Sequence, residues 1–184
     1  MRNYYDDSQS VIEELKKLLE KVSVEEIDIY AKALLEARSV FFVGVGRVRL
    51  ALEAAVKRLT HLGIDCHMVG DLNEPPITKD DLLVVGSGSG ESVIPLEITK
   101  KAKKYEAKII HLTSNPNSSI AQLADVIVQF ESPSKSSQKF TSIQPMTTIF
   151  EQGLLIFHDV LALRLMEEKN LTMTDLKKRH ANLE

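Results

Sequence analysis

VVGSGSGES, residues Val84–Ser92, sets two β-branched residues against seven positions that are all Gly, Ser or Glu. Val84 and Val85 close the apolar run DLLVVG, the kind of segment that forms a strand buried on both faces. The glycines end that strand, and helical spacing resumes from Ser92 to Tyr105. Four further runs rich in β-branched residues, SVFFVG, IDCHMV, AKIIHLT and DVIVQF, are each followed by a turn and a longer segment, most of them helical in period. Helices are expected over Arg47–Leu62, Ser92–Tyr105 and Ser118–Leu123, whereas GDLNEPPITKD, with Pro75 and Pro76, reads as a loop or short broken crossover. Two helices precede the first strand. Val11, Leu15, Leu18, Leu19 and Val22 share one face, and Ser23 with Glu26 forms a candidate capping box for a helix carrying Ile27, Tyr30 and Leu34.

Apolar strands alternating with helices specify a parallel sheet covered on both faces, an α/β doubly wound, three-layer domain of five strands. Right-handed crossovers make 2-1-3-4-5 the expected strand order, with extra helices at both ends of the chain. The 184 residues are read as one domain: N-terminal helices over 1–37, the α/β core over 38–130, a loop over 131–145, and C-terminal helices and tail over 146–184. A hydrophobic content of 43% is ample for such a core. The 23 basic and 26 acidic residues, net −3, lack the basic excess a polynucleotide partner requires. Cys66 is the one cysteine, so no intramolecular disulfide is expected. The opening MRNYYDDSQS has no secretion-signal order and no later run is long enough to span a bilayer, so the cytoplasm is the expected location.

In order 2-1-3-4-5, strands one and three flank the switch point where such sheets bind ligands. Strand one runs into GVGRVR, Gly44–Arg49, and strand three into GSGSGES, Gly86–Ser92. Two loops of bare backbone therefore converge on one crevice. A loop between a strand end and a helix N-terminus offers unpaired amides at the positive end of the helix dipole, which suits an anion. Gly86, Gly88 and Gly90 permit close approach, and Ser87, Ser89 and Ser92 add hydroxyl donors. The competing reading is a plain turn capped by Ser89 or Ser92. No Lys follows Gly90, so the P-loop pattern fails, and Arg49 stands where a dinucleotide fingerprint needs its third glycine. A small phosphorylated metabolite remains.

GSGSGES, together with TSNPNSSIAQLADVIVQF, QPMTTIFEQGLLIFHD and KKRHANLE, resembles the sugar isomerase (SIS) domain family, and within it the 6-phospho-3-hexuloisomerases. The likeness covers almost the whole chain. It implies interconversion of D-arabino-3-hexulose 6-phosphate and fructose 6-phosphate, the second step of formaldehyde fixation through ribulose monophosphate, with neither metal nor organic cofactor. It also implies a homo-oligomer, the tetramer common in the family, with sites near subunit boundaries. The apolar circumference of Met146–Met166 agrees with burial beyond one sheet face. For such a substrate, Gly46, Arg47, Ser87, Gly88, Ser89, Gly90 and Ser92 are the expected sugar-phosphate contacts.

Moving a carbonyl from C3 to C2 needs one acid/base group to take the C2 proton and return a proton at C3. The resemblance places that role on Glu151, where partial desolvation on a packed helix would raise a carboxylate pKa. The bland alternative is a solvated carboxylate or an ion-pair partner. His180 in the family-like tail is the second candidate, for ring opening, against a plain surface histidine in a basic segment. The tail would have to dock over a site, its own or that of a neighbouring subunit. His61, His67, His111 and His158 read as structural, Cys66 as a buried strand residue, and no spacing suggests a metal site. Asn115 and Ser118 sit where a turn could reach the crevice.

Three positions depart from the family pattern. The usual Ser and Gly of the first loop are Val48 and Arg49, and the Gly usually found after Pro-Met is Thr147. Loss of the serine hydroxyl removes a donor worth about 0.5 to 3 kcal/mol. Arg49 would either supply a charge-assisted contact or obstruct the crevice. A non-catalytic module that senses a sugar phosphate, or another aldose–ketose isomerase, is the alternative function.

Overall fold

The computed structural model describes residues 3–132 and 142–183. Most of the segment expected as a loop over 131–145, including any closure over the crevice, lies outside the described residues. The chain runs α1 (Tyr4–Leu19), α2 (Val24–Glu36), β1 (Val40–Val43), α3 (Arg47–His61), β2 (Cys66–Met68), β3 (Leu82–Gly86), α4 (Val93–Lys104), β4 (Lys108–Thr113), β5 (Val126–Gln129), α5 (Thr148–Glu168) and α6 (Met173–Arg179). All five strands pair in parallel in the order β2-β1-β3-β4-β5, with Val40 opposite Leu82 and Leu82 opposite Lys108. That is the order expected from the alternation of short apolar runs and crossovers.

Strand alternation splits the core in two. Val40, Phe42, Leu82, Val84, Ile110 and Leu112 face one layer, where α1, α2, α3, α5 and α6 pack around Tyr30, Leu52, Phe150, Leu154 and Leu165. Phe41, Val43, Leu83, Val85 and Ile109 face the other, covered by α4 and by the loops carrying Ile77 and Ile120. The helix expected over Ser118–Leu123 does not form there. The segment is a run of turns, because its groups are committed elsewhere. The Ile120 amide donates to the Gly90 carbonyl at 3.2 Å, and the Ser118 hydroxyl accepts from the Ala121 amide at 3.2 Å. Six residues are also too few to nucleate a helix without help.

The expected capping box is half formed. The Ser23 hydroxyl accepts from the Glu26 amide, but the Glu26 carboxylate turns to the Gln129 amide at 2.9 Å, tying α2 to β5 instead. Cys66 is half-buried, and desolvation pushes its thiol up, away from reactivity. Among the described residues, no helix is long and apolar enough to cross a membrane.

His158 is fully enclosed on α5. Its Nδ1 lies 2.7 Å from the Leu154 carbonyl and so carries the proton, leaving Nε2 to accept from the Tyr30 hydroxyl at 3.0 Å. Burial pulls this imidazole down to about 4. The unfolded chain therefore binds a proton near pH 6.5 that the folded chain refuses until about pH 4, and stability falls as pH falls through that window. Burial does the same to His111. At about 1.4 kcal/mol per unit, each contributes a loss on the order of 3 kcal/mol by pH 4. Melting temperature should drop steeply from pH 6.5 to 4.5, less so in His158→Gln. A flat profile in the parent would contradict both assignments.

Candidate active site

β1 and β3 end side by side at the switch point of the sheet, and each is followed by a helix whose first turn faces the same cleft. The cleft holds about 360 Å³ and is lined by Val45–Val48, Gly86–Ser89, Ser92, Met146, Thr147, Phe150 and Glu151. It thus receives the N-termini of α3, α4 and α5, whose N-caps are Gly46, Ser92 and Thr147. None of these three caps accepts a backbone amide of its own helix on its side chain. Among the described residues, the three other helices are capped by Asn3, Ser23 and Thr172. Uncapped N-termini thus coincide with the cleft, where three sets of amides and three positive dipole ends meet. This arrangement favours an anion.

The serine loop is held from behind. The carbonyls of Gly88, Ser89 and Gly90 accept from the Ser114 amide at 3.1 Å, the Asn115 side chain at 3.1 Å and the Ile120 amide at 3.2 Å. The Gly90 amide turns inward onto Ser87, whose hydroxyl also reaches Ser92 Oγ at 3.2 Å. Among the described residues, the amides of Gly88, Ser89 and Ser92 donate to no protein acceptor. Together with the hydroxyls of Ser87, Ser89 and Ser92 they form a cradle of donors for a phosphate. Gly90 has φ +66, and Gly46, at φ 59 and ψ −137, adopts a conformation open to glycine alone.

Glu151 lies in the first turn of α5 with its side chain only 11% exposed. Its two oxygens are held separately, Oε2 by the Arg47 guanidinium and Oε1 by the Thr147 hydroxyl at 3.0 Å. It is therefore an ion-pair partner, as the bland alternative had it, but its partner is a cleft residue and the pair forms the wall facing the serine loop. Phe150 beside it packs on Gly88, where an added Cβ would meet its ring at 3.2 Å. α5 and the loop are thus locked together.

Seven of the nine expected site residues line this cleft: Gly46, Arg47, Ser87, Gly88, Ser89, Ser92 and Glu151. Gly90 belongs to the same loop but shapes it from inside. His180 is not brought to Glu151. It follows α6 and stacks on His61, ring centroids 5.1 Å apart, at the C-terminal end of α3. α3 has its other end at the cleft, and its 15 residues at 1.5 Å each separate the two by roughly 20 Å. Asn115 and Ser118 support the loop and do not line the cleft.

The departures resolve in different ways. Arg49 neither binds nor obstructs, because it bridges Glu53, the Val69 carbonyl and Asp71 at the end of β2. Val48 fills the space over the strand-end glycines, 3.0 Å and 2.9 Å from where Cβ atoms on Gly44 and Gly86 would stand. Thr147 holds Glu151, a contact no local pattern announces. Glu14 of α1 was also without a sequence signal, yet it fixes the approach to α5 by accepting from the Ser142 hydroxyl, the Ile143 amide and the Gln144 side chain at 2.7, 2.8 and 3.1 Å. A second hollow, about 300 Å³ beneath Pro75 and Pro76, has an apolar floor of Phe41 and Leu83 and no comparable set of convergent donors.

Residues 33–163 match the SIS domain model. The 3-hexulose-6-phosphate isomerase of Bacillus subtilis is 38% identical over 95% of both chains. That of Mycobacterium gastri is 34% identical over 95% of this chain and 88% of its own. Among solved structures, a Methanococcus jannaschii protein whose crystal structure infers a molecular function of 3-hexulose-6-phosphate isomerase superposes with a TM-score of 0.82, at 31% identity over 97% of each chain.

Proposed function

Because the chain belongs to the SIS domain family, we propose that it is a phosphosugar isomerase, and specifically that it interconverts D-arabino-3-hexulose 6-phosphate and fructose 6-phosphate. The observation that carries the reading is the facing of two unlike elements across one cleft: a cradle of free amides and hydroxyls, and a carboxylate pinned by Arg47. The names of the relatives support the same chemistry.

In this reading the phosphate dianion sits on Ser87–Ser89 and Ser92, where three helix N-termini offset its charge. The carbon chain then extends toward Glu151. From the 3-ketose, Glu151 takes the C2 proton and the electron pair moves toward the C3 oxygen, which takes up a proton to give the 2,3-enediol. Loss of the C2 hydroxyl proton and return of a proton at C3 then leave the carbonyl at C2. One carboxylate on one face serves both carbons, and fixing both its oxygens keeps that geometry through the transfer. His180 would assist ring opening only if the tail of one copy covers the cleft of another.

Such an assembly is part of the proposal. Leu155, Val160 and Leu163 on α5 are 41%, 57% and 67% exposed, an apolar set that a second copy would cover in a homo-oligomer, proposed to be a tetramer. A single-chain mass in solution would overturn it.

The function is tested by incubating the protein with fructose 6-phosphate in deuterated water. Deuterium at C3 of recovered fructose 6-phosphate, or formation of the 3-ketose, is the expected result. One observation favours a second reading, a module that senses a phosphosugar without converting it: both Glu151 oxygens already have protein donors. Binding of fructose 6-phosphate without any exchange would select that reading.

A further inference from the structure

Thr147 is the N-cap of α5, a position where a threonine hydroxyl ordinarily accepts from an amide of the first turn. Here it makes no such bond and instead donates to Glu151 Oε1, one turn along the helix. The Thr147 carbonyl accepts the Glu151 amide at 3.2 Å, so backbone and hydroxyl hold the same residue. Arg47, at the N-terminus of α3, holds the other oxygen. A carboxylate gripped at one oxygen can pivot about that contact. Donors on both oxygens, from two different helices, fix its plane.

The segment leading to Thr147 is itself restrained. Glu14 accepts three hydrogen bonds from residues 142–144. Met146 then takes a left-handed φ of 57 at the lip of the cleft, a conformation a non-glycine residue holds only where its surroundings impose it. This strained turn delivers Thr147 to Glu151.

We propose that Thr147 is a positioning residue: its hydroxyl sets the plane of the Glu151 carboxylate for proton transfer, and its contribution appears in kcat rather than in substrate affinity. The proposal rests on the reading of Glu151 as the acid/base group. The phosphate cradle lies on a separate loop, so removal of the hydroxyl leaves binding intact. Misalignment of a reacting group is felt in the chemical step, because effective molarity depends on near-attack geometry.

The test measures kcat and KM for C3 deuterium exchange of fructose 6-phosphate in the full-length parent, Thr147→Val, Thr147→Gly and Thr147→Ser, with Glu151→Gln alongside. The expected result is a kcat lowered about tenfold in both Thr147→Val and Thr147→Gly, KM within about twofold, and recovery in Thr147→Ser. Parent-like kcat in the two hydroxyl-free variants overturns the proposal, as does a rise in KM with kcat unchanged or a loss that serine does not restore. Using two hydroxyl-free variants guards against one of them folding poorly, which melting temperature reports. Failure of the premise reads differently: exchange in Glu151→Gln as fast as in the parent would remove the acid/base assignment itself.

Discussion

Glu151→Gln should lower isomerase or exchange activity by about 10²- to 10⁴-fold, the range that a positioned acid/base group contributes. The substitution keeps the shape and the acceptor oxygen that Arg47 or Thr147 can still bind, but an amide cannot take up a proton at neutral pH. Stability should change little. Arg47 is 62% exposed, so when its partner loses charge the guanidinium stays solvated and no buried cation is left without a counter-charge. A loss of activity with a nearly unchanged melting temperature, and with phosphosugar binding preserved, is the expected pattern. Activity above a tenth of the parent's would place the base elsewhere.

Gly90→Ala should abolish phosphate binding and destabilise the fold by roughly 2–4 kcal/mol. Two costs combine. The left-handed φ of +66 disfavours any side chain, and the new Cβ would stand 1.9 Å from Ser118 Oγ and 2.3 Å from Ser118 Cβ. Ser118 is short and buried, with its oxygen committed to the Ala121 amide, so it cannot swing aside as a long side chain would. The loop must move instead, and with it the free amides of Gly88 and Ser89. Thermal melts with and without inorganic phosphate separate the effects. The parent should be stabilised by phosphate through linkage, and the variant should melt lower and ignore the anion. Pairing Gly90→Ala with Ser118→Gly removes the collision but not the strained φ, so recovery should be partial. An unperturbed variant that still responds to phosphate would show that the cradle does not depend on this turn.

Gly46→Ala offers a contrast. No atom lies within 4 Å of its would-be Cβ, so its cost is conformational alone. The two glycines look equivalent in sequence, each in a loop after a strand. Only the packing behind Gly90 separates them.

Much of the architecture was legible before folding was considered. Strands β1 to β5 coincide with the five β-branched runs, and their order follows from crossover handedness, because a strand's apolar period and its flanking glycines are local properties. The serine loop was equally legible, as were the glycines that end β1 and β3. The error over Ser118–Leu123 has the opposite origin: six residues with a good N-cap carry a helical pattern, but a tertiary hydrogen bond to Gly90 outweighs it. Likewise Glu26 was readable as half of a capping box, and a strand amide more than a hundred residues away claimed it.

The chain's own order of residues therefore determined the layers, the switch point and the donors that await an anion, since each depends on near neighbours and on the rules of parallel sheets. The tertiary structure decided which side chains share the cleft. Arg47 and Glu151 are 104 positions apart, Glu14 and Gln144 are 130 apart, and Arg49 turns away although it adjoins Val48. Periodicity says which face of a helix is buried, but the partner of a carboxylate depends on where two helices cross. That crossing is set by the whole core at once, and no short stretch records it.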